Sequence, residues 1–210
     1  MAQDDLRVGV RANPRSIFRY MKADVPKILS QGGVGIIPTD TIYGIVGSAL
    51  RKRTVERIYK LRKRNPKKPV IVLIGSIDDL KLFDMRISPK DKNVLKKLWP
   101  GKVSVILPCP NKKFSYLHRG MKTIAFRLPK KKSLIALLKK TGPLVAPSAN
   151  WEGKLPAKTI TEAKKYFGDR ADFYVNAGRK VSKPSTLVAI TNGQLIVLRE
   201  GAVKIKRGKG

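Results

Sequence analysis

One cysteine and one histidine are all that the 210 residues contain. Cys109 has no partner for an internal disulfide, and so few sulfur and imidazole groups exclude a cysteine-rich zinc site. Nothing flanking Cys109 or His118 would activate a thiolate, so a Cys–His nucleophile pair is set aside. Acidic residues are scarce too: 14 Asp and Glu stand against 46 Lys and Arg, a net charge of +32. No apolar run approaches the roughly 20 residues of a membrane-spanning helix. The opening Met1-Ala2-Gln3-Asp4-Asp5 lacks the apolar core of a signal sequence. Neither G-x-x-x-x-G-K-[ST] nor G-x-G-x-x-G after a strand is present, and nothing repeats with a period of about 20–50 residues. What remains is a chain expected to be soluble and cytoplasmic.

Hydrophobic residues make up 42% of the chain, enough for the core of one domain. The positive charge predicts attraction to polyanions that weakens with salt; a basic surface suited to a saline cytoplasm would look the same. Residues 1–14 read as a polar arm, 15–203 as the domain and 204–210 as a basic flexible tail. The spacing of Ile17, Phe18, Met21, Val25, Ile28 and Leu29 predicts a helix from Ser16 to Gln31, capped by Ser16 and broken or kinked at Pro26. Val34 to Pro38 reads as a strand and Thr39 to Gly44 as a hydroxyl-rich loop. A helix over 54–63, capped by Thr54, leads into the apolar strand from Pro69 to Ile74. Short helices follow over 77–83 and 91–98, then strands over 103–107 and 123–128 separated by a polar loop from Asn111 to Lys122. A helix over 133–140, a strand over 144–146, a helix over 161–167 and a strand with a turn over 173–178 continue the alternation. A last hairpin pairs 184–190 with 194–199 through an Asn192-Gly193 turn. Alternating helices and strands give an α/β fold with one mixed sheet.

The polar residues cluster at strand ends, where open α/β sheets place ligands. Thr39 and Thr41 follow the first strand. Six cations, Lys60, Arg62, Lys63, Arg64, Lys67 and Lys68, fall within nine residues, more than a helix C-terminus needs for its dipole. Arg127 ends a strand. Ser148 and Asn150 follow Leu144-Val145-Ala146-Pro147, two apart and so on one face if the strand persists; that stretch alone equally fits a turn or a helix cap. Ser185, Thr186 and Arg199 complete the set. Such groups suit a small ligand with several negative charges, because the planar guanidinium fork binds two oxygens of carboxylate or phosphate.

Seven segments in order carry a family resemblance: Pro38-Thr39-Asp40-Thr41-Ile42-Tyr43-Gly44, the basic K-x-R region, Leu98-Trp99-Pro100-Gly101, Phe126-Arg127-Leu128-Pro129, Pro147-Ser148-Ala149-Asn150, Pro184-Ser185-Thr186-Leu187-Val188 and Leu198-Arg199-Glu200-Gly201-Ala202. The chain resembles the YrdC-like threonylcarbamoyl-AMP synthases, in their shorter single-domain form. The resemblance implies a twisted mixed sheet with helices around a concave, positively charged cavity. It implies synthesis of threonylcarbamoyl-AMP and pyrophosphate from L-threonine, bicarbonate and ATP, with Mg²⁺ on the phosphates and no protein ligand to the metal. The product would pass to a threonylcarbamoyl-transferase partner complex that modifies tRNA, and tRNA itself is a further partner of a chain so basic.

The resemblance also assigns residues. The family tetrad is K-x-R with S-x-N, and Ser148 and Asn150 match the second half. For the first half, spacing to Pro69 favours Arg62 and Arg64, with Arg where the family has Lys; Lys60-Leu61-Arg62 fits the letters two residues earlier. Thr39, Thr41, Tyr43 and Lys60 are expected by the threonine, and Lys63, Thr123, Arg127, Pro147, Ser185 and Arg199 by ATP and bicarbonate. Asn176 stands where the family often has Asp. Ser148 and Asn150 are expected to be neutral hydrogen-bonding groups, replaceable by Ala with loss of synthesis and an intact fold. Two other classes stay in view: an RNA-binding module without catalysis, and a carbamoyl-transfer relative, whose known chains carry further domains.

Overall fold

The computed structural model describes residues 24–191 and 194–205. The expected arm over 1–14, the Ser16 cap with Ile17, Phe18 and Met21, the Asn192-Gly193 turn and most of the basic tail lie outside the described residues. Val25–Ser30 form α1, capped by Asp24, whose Oδ1 accepts the Lys27 N–H at 3.1 Å. Pro26 does not kink a longer helix. It sits in the first turn, where its missing N–H costs no hydrogen bond.

β1 (Gly35–Pro38) and β2 (Tyr43–Ser48) form a hairpin around residues 39–42. The sequence reading carried the loop through Tyr43 and Gly44 and had no strand there. The glycines that hide β2 exist because α2 (Lys52–Leu61) packs on it: a Cβ on Gly47 would stand 2.5 Å from Cγ2 of Thr54. Thr54 is not the cap of α2. Its hydroxyl donates to the Gly32 carbonyl at 2.9 Å, and Arg51 occupies the cap position.

β3 (Ile71–Leu73), a 3₁₀ segment (Ile77–Phe83), α3 (Pro89–Leu98) and β4 (Val103–Pro108) follow, with a cis peptide between Trp99 and Pro100. Residues 111–122 are no simple polar loop. Lys112–Phe114 form a 3₁₀ turn and Ser115–His118 form α4, burying Phe114, Leu117 and His118 among the lysines. The Phe114 ring lies 5.3 Å from that of Phe83, and such aromatic packing anchors the segment. β5 (Thr123–Arg127), α5 (Lys132–Thr141), β6 (Leu144–Val145), α6 (Ile160–Phe167), β7 (Phe173–Tyr174), β8 (Thr186–Thr191) and β9 (Gln194–Arg199) complete the elements. No helix among the described residues is long and apolar enough to cross a membrane.

The nine strands among the described residues form one mixed sheet in the order β7-β1-β2-β6-β3-β5-β4-β8-β9. Successive strand residues face opposite sides, and the two sides carry separate cores. Ile36, Ile45, Val72, Val145, Phe126, Val105 and Val188 pack on one side with residues of α2, α3, α4 and α6. Ile37, Val46, Leu73 and Leu144 pack on the other with Val25 and Leu29 of α1 and Leu134 and Leu138 of α5. This second layer stops at β3. Ile71 of β3 still packs against it; beyond it, Ala125 and Ile106, neighbours in register with Ile71, line a cavity in whose wall no residue of a described helix stands. A cavity lies where the second helical layer ends.

Asp172 fastens the opposite end. Its carboxylate accepts both Nη atoms of Arg57 in α2 at 2.7 Å and the Val34 N–H at 2.7 Å. The Arg57 hydrogen bonds hold the Asp172 carboxyl below the usual carboxylate range. A lowered folded-state pKa stabilises the fold above the unfolded value and loses that contribution as pH falls through the folded value. The urea midpoint is therefore expected to drop less between about pH 7 and about pH 3 in Asp172→Asn than in the parent; equal drops would show that this pair contributes nothing.

Candidate active site

The uncovered face floors a cavity of about 370 Å³, within the range of small-molecule sites. Ile71, Ala125, Ile106 and Leu187, from four strands, give it an apolar floor. Alternation along β5 then brings Thr123 and Arg127 to the side that Ala125 shows, and all three line the cavity. Arg62, Arg64, Arg127 and Arg199 line it, and among the described residues no Asp or Glu does.

Thr39 and Thr41 line the cavity from the β1–β2 turn and are 2% exposed. Thr39 is mostly occupied with the turn itself: its hydroxyl donates to the Ile42 carbonyl at 2.6 Å and accepts the Thr41 N–H at 3.2 Å. The carbonyls of the same turn are held from behind. Lys131 Nζ donates to Pro38 O at 3.3 Å and Lys180 Nζ to Thr39 O at 3.0 Å, and burial lowers both lysine pKa values. Neither lysine was singled out in the sequence; Lys180 lay in a loop read only as basic. Tyr43 also lines the cavity, but its hydroxyl donates to Gly178 O at 2.7 Å and accepts the Ala177 N–H at 2.9 Å. It ties down the loop after β7, where Asn176 Oδ1 accepts the Gly178 N–H at 3.0 Å.

Arg62 is 3% exposed, and among the described residues no carboxylate pairs with it. Its Nε donates to Asn150 O at 3.1 Å, and its Nη2 donates to Ser148 Oγ at 3.2 Å and to Asn150 Oδ1 at 3.5 Å. Nη1 is buried with no partner. Burial, and then the neighbouring Arg64 charge, lower its pKa to about 10. At neutral pH that still leaves only about one molecule in 10³ uncharged. The basic and S-x-N halves are thus physically joined. Glu152 reinforces the joint: its N–H donates to Arg62 O at 2.8 Å and its carboxylate pairs with Lys68 at 2.8 Å.

Asn150 is not in the cavity wall. Its Nδ2 donates to Trp151 O at 2.6 Å and Lys154 O at 2.7 Å, so it orders the loop after Ser148 while its oxygens hold Arg62. Ser148 and Pro147 do line the cavity, and a bridge between Ser148 and Gly44 fixes them against β2. Of the pair, Ser148 faces the cavity and Asn150 the loop behind it.

The structure does not bring Lys60 or Lys63 to the cavity. Lys60 is exposed near the end of α2. Lys63 takes a left-handed conformation, φ 50°, and its Nζ lies 3.9 Å from the centre of the Trp151 ring. Arg64 does reach the cavity, its Nη2 donating to Pro69 O at 2.6 Å and its Nε to Lys68 O at 3.3 Å. At the helix end, Lys63 N–H donates to Lys60 O at 3.1 Å and Arg64 N–H to Tyr59 O at 3.0 Å. This is a Schellman ending. It reverses the chain after Arg62 so that residues 62 and 64 face the cavity while 60 and 63 do not.

Arg127 is 4% exposed and lies 3.1 Å from Asp40 Oδ1, an ionic contact without hydrogen-bond geometry. Burial lowers its pKa while Asp40 opposes the shift. Asp40 is the counter-ion that the sequence reading passed over, although it sits between Thr39 and Thr41. On the far wall, Arg199 Nη2 donates to Ser185 O at 2.9 Å and Ser185 Oγ shares a hydrogen bond with Ser104 Oγ at 2.8 Å. Gly201 presses this wall together: a Cβ there would stand 2.4 Å from Pro184 O. The buried Ser104 and the apolar floor carried no signal in the sequence beyond ordinary strand pattern.

Comparison with known proteins places these features in a family. A family model named Sua5_yciO_yrdC, described as "Telomere recombination", matches residues 27–201. The chain is 32% identical over 166 residues to the threonylcarbamoyl-AMP synthase of Marinobacter nauticus, covering 78% of this chain and 87% of that one. It is 30% identical over 184 residues to the threonylcarbamoyl-AMP synthase of Bacillus subtilis, covering 86% of this chain but 53% of that one. The chain therefore spans about half the length of the Bacillus relative. The structure of Pyrococcus abyssi Sua5 complexed with L-threonine superposes with a TM-score of 0.76 at 26% identity, over 84% of this chain and 52% of that one.

Proposed function

Because this chain belongs to the Sua5/YciO/YrdC family, we propose that it joins L-threonine, bicarbonate and ATP into threonylcarbamoyl-AMP and pyrophosphate, the first step toward threonylcarbamoyladenosine in tRNA. The observation that carries this reading is a cavity with four arginines and, among the described residues, no carboxylate in its wall. The threonine amine and bicarbonate condense to a carbamate and water. A carbamate oxygen then bonds the α-phosphorus of ATP while the bond to the β-phosphate oxygen breaks, and pyrophosphate leaves with the electron pair. Both reactants are anions. Fixed cations bring them together against repulsion and hold the charge that grows at phosphorus, with no covalent intermediate on the protein.

In this reading Thr39, Thr41 and Ser148 line the threonine end, and the likeness to a protein complexed with L-threonine supports that choice of substrate. Arg62 and Arg64 face the carbamate and the α-phosphate, Arg127 the bicarbonate and phosphates, and Ser185 and Arg199 the nucleotide. The floor of Ile71, Ala125, Ile106 and Leu187 offers a flat apolar surface to the adenine. Among the described residues no three His, Cys, Asp or Glu side chains gather to hold a metal ion. Mg²⁺ belongs in this proposal as part of the MgATP substrate. Transfer to tRNA, in the cytoplasm, falls to a partner enzyme, and the net charge of +32 suits salt-dependent contact with the RNA.

The test is pyrophosphate release from ATP by the purified chain. Release that needs both threonine and bicarbonate is the expected result; release indifferent to threonine would sink the proposal.

A further inference from the structure

Arg119 is a largely buried cation outside both the cavity wall and the family motifs. It follows α4 in a left-handed conformation, φ 52°, with its side chain 13% exposed. Its guanidinium carbon lies 3.9 Å from the centre of the Tyr59 ring and its Nη2 lies 3.0 Å from Glu56 Oε1. Nε and Nη2 are buried without hydrogen bonds, so the ring face and the Glu56 charge are what hold this cation.

Tyr59 in turn meets Arg64 in three ways. Arg64's guanidinium carbon stands 5.9 Å over the same ring, and its N–H donates to Tyr59 O at 3.0 Å. The Tyr59 hydroxyl donates to Lys68 O at 2.7 Å, the carbonyl that also accepts Arg64 Nε at 3.3 Å. The ring is 4% exposed and wedged between α4 and the loop that shapes the cavity wall.

We propose that Tyr59, backed by Arg119, is a positioning residue for Arg64: its ring, carbonyl and hydroxyl together fix the guanidinium and the 64–69 loop against which it rests. This rests on the proposal above that Arg64 holds substrate charge. A long arginine side chain left to rotate would lose affinity and rate through misplacement alone, since catalytic geometry tolerates little displacement. Arg119 thus acts on the reaction only through Arg64.

The experiment is a double-mutant cycle of Arg119→Ala with Arg64→Ala, read both as Kd for ATP and as kcat/KM for threonine-dependent pyrophosphate release. Arg119→Ala alone is expected to weaken both about tenfold, and in the Arg64→Ala background to change neither by more than about twofold. Tyr59→Phe, which keeps the ring, should lose less than Tyr59→Leu. Arg119→Lys keeps the charge near Glu56 without the planar guanidinium, runs through the same cycle, and serves if the alanine variant unfolds. Independent, multiplicative losses in the cycle would overturn the positioning role while leaving the reaction standing. Threonine-independent release with a non-additive cycle on ATP binding would do the opposite. Failure of the parent chain to bind ATP would overturn both.

Discussion

Arg64→Ala is expected to lower kcat/KM for threonine-dependent pyrophosphate release by about 10²–10³-fold, the cost of removing one preorganised charge from a developing anion, while Lys60→Ala stays within about twofold. The two residues compete for one assignment in the sequence, and the end of α2 separates them. Lys60 lies in the last turn with its side chain in solvent. Arg64 comes after the left-handed residue Lys63 and is turned back over the carbonyls of Lys68 and Pro69 into the cavity wall. Those two hydrogen bonds tie the side chain to the loop, so Arg64→Ala also gives up about 1 kcal/mol of stability, too little to account for the rate. Thermal unfolding beside the kinetics separates the effects. A Lys60→Ala variant as impaired as Arg64→Ala would return the assignment to Lys60 and Arg62. Lys63→Ala belongs with Lys60→Ala, because its ammonium is engaged by Trp151 on the outside.

The same helix end shows which parts of this protein are written locally. Strands such as β4, β8 and β9 were legible because apolar runs stop at Pro, Gly or Asn, and β9 begins and ends where its pattern does. β2 was not, because the glycines that admit α2 and the 147–149 segment erase the apolar pattern of a buried strand. α4 was hidden by the lysines around Phe114 and Leu117. The hydroxyls and arginines of the site were legible as a set, but their division of labour was not. Whether Lys60 or Arg64 meets the cavity depends on one left-handed residue. Whether Tyr43 or Thr39 has a free hydroxyl depends on partners at Gly178 and Ile42, the former 135 residues away. The cavity itself exists because the α1–α5 layer ends at β3, a fact of the whole sheet.

Ser148→Ala and Asn150→Ala are expected to part company, although their spacing in sequence casts them as equals. Ser148 is half-buried, and its hydroxyl gives Arg62 one of three acceptors in this loop. Its loss leaves the backbone contacts with Gly44 intact. Ser148→Ala should therefore cut kcat/KM by about 10²-fold with an unchanged urea midpoint. Asn150 is 5% exposed and donates to the carbonyls of Trp151 and Lys154 while accepting from Arg62. Asn150→Ala takes its amide donor from the Lys154 carbonyl, leaves the Trp151 carbonyl with the Lys154 N–H alone, and weakens the hold on a buried guanidinium. A buried donor left without its acceptor costs about 1–3 kcal/mol, so this variant should lose roughly 1–3 kcal/mol of stability as well as its activity. Of the two variants, only Ser148→Ala is expected to leave the fold as stable as the parent's. Asn150→Asp discriminates further: it keeps the acceptor for Arg62 but removes the amide donor. It should recover the hold on Arg62 without recovering the loop. If Asn150→Ala proved as stable as the parent, the loop would owe nothing to the amide, and Asn150 would have to be redrawn as a group that meets substrate directly.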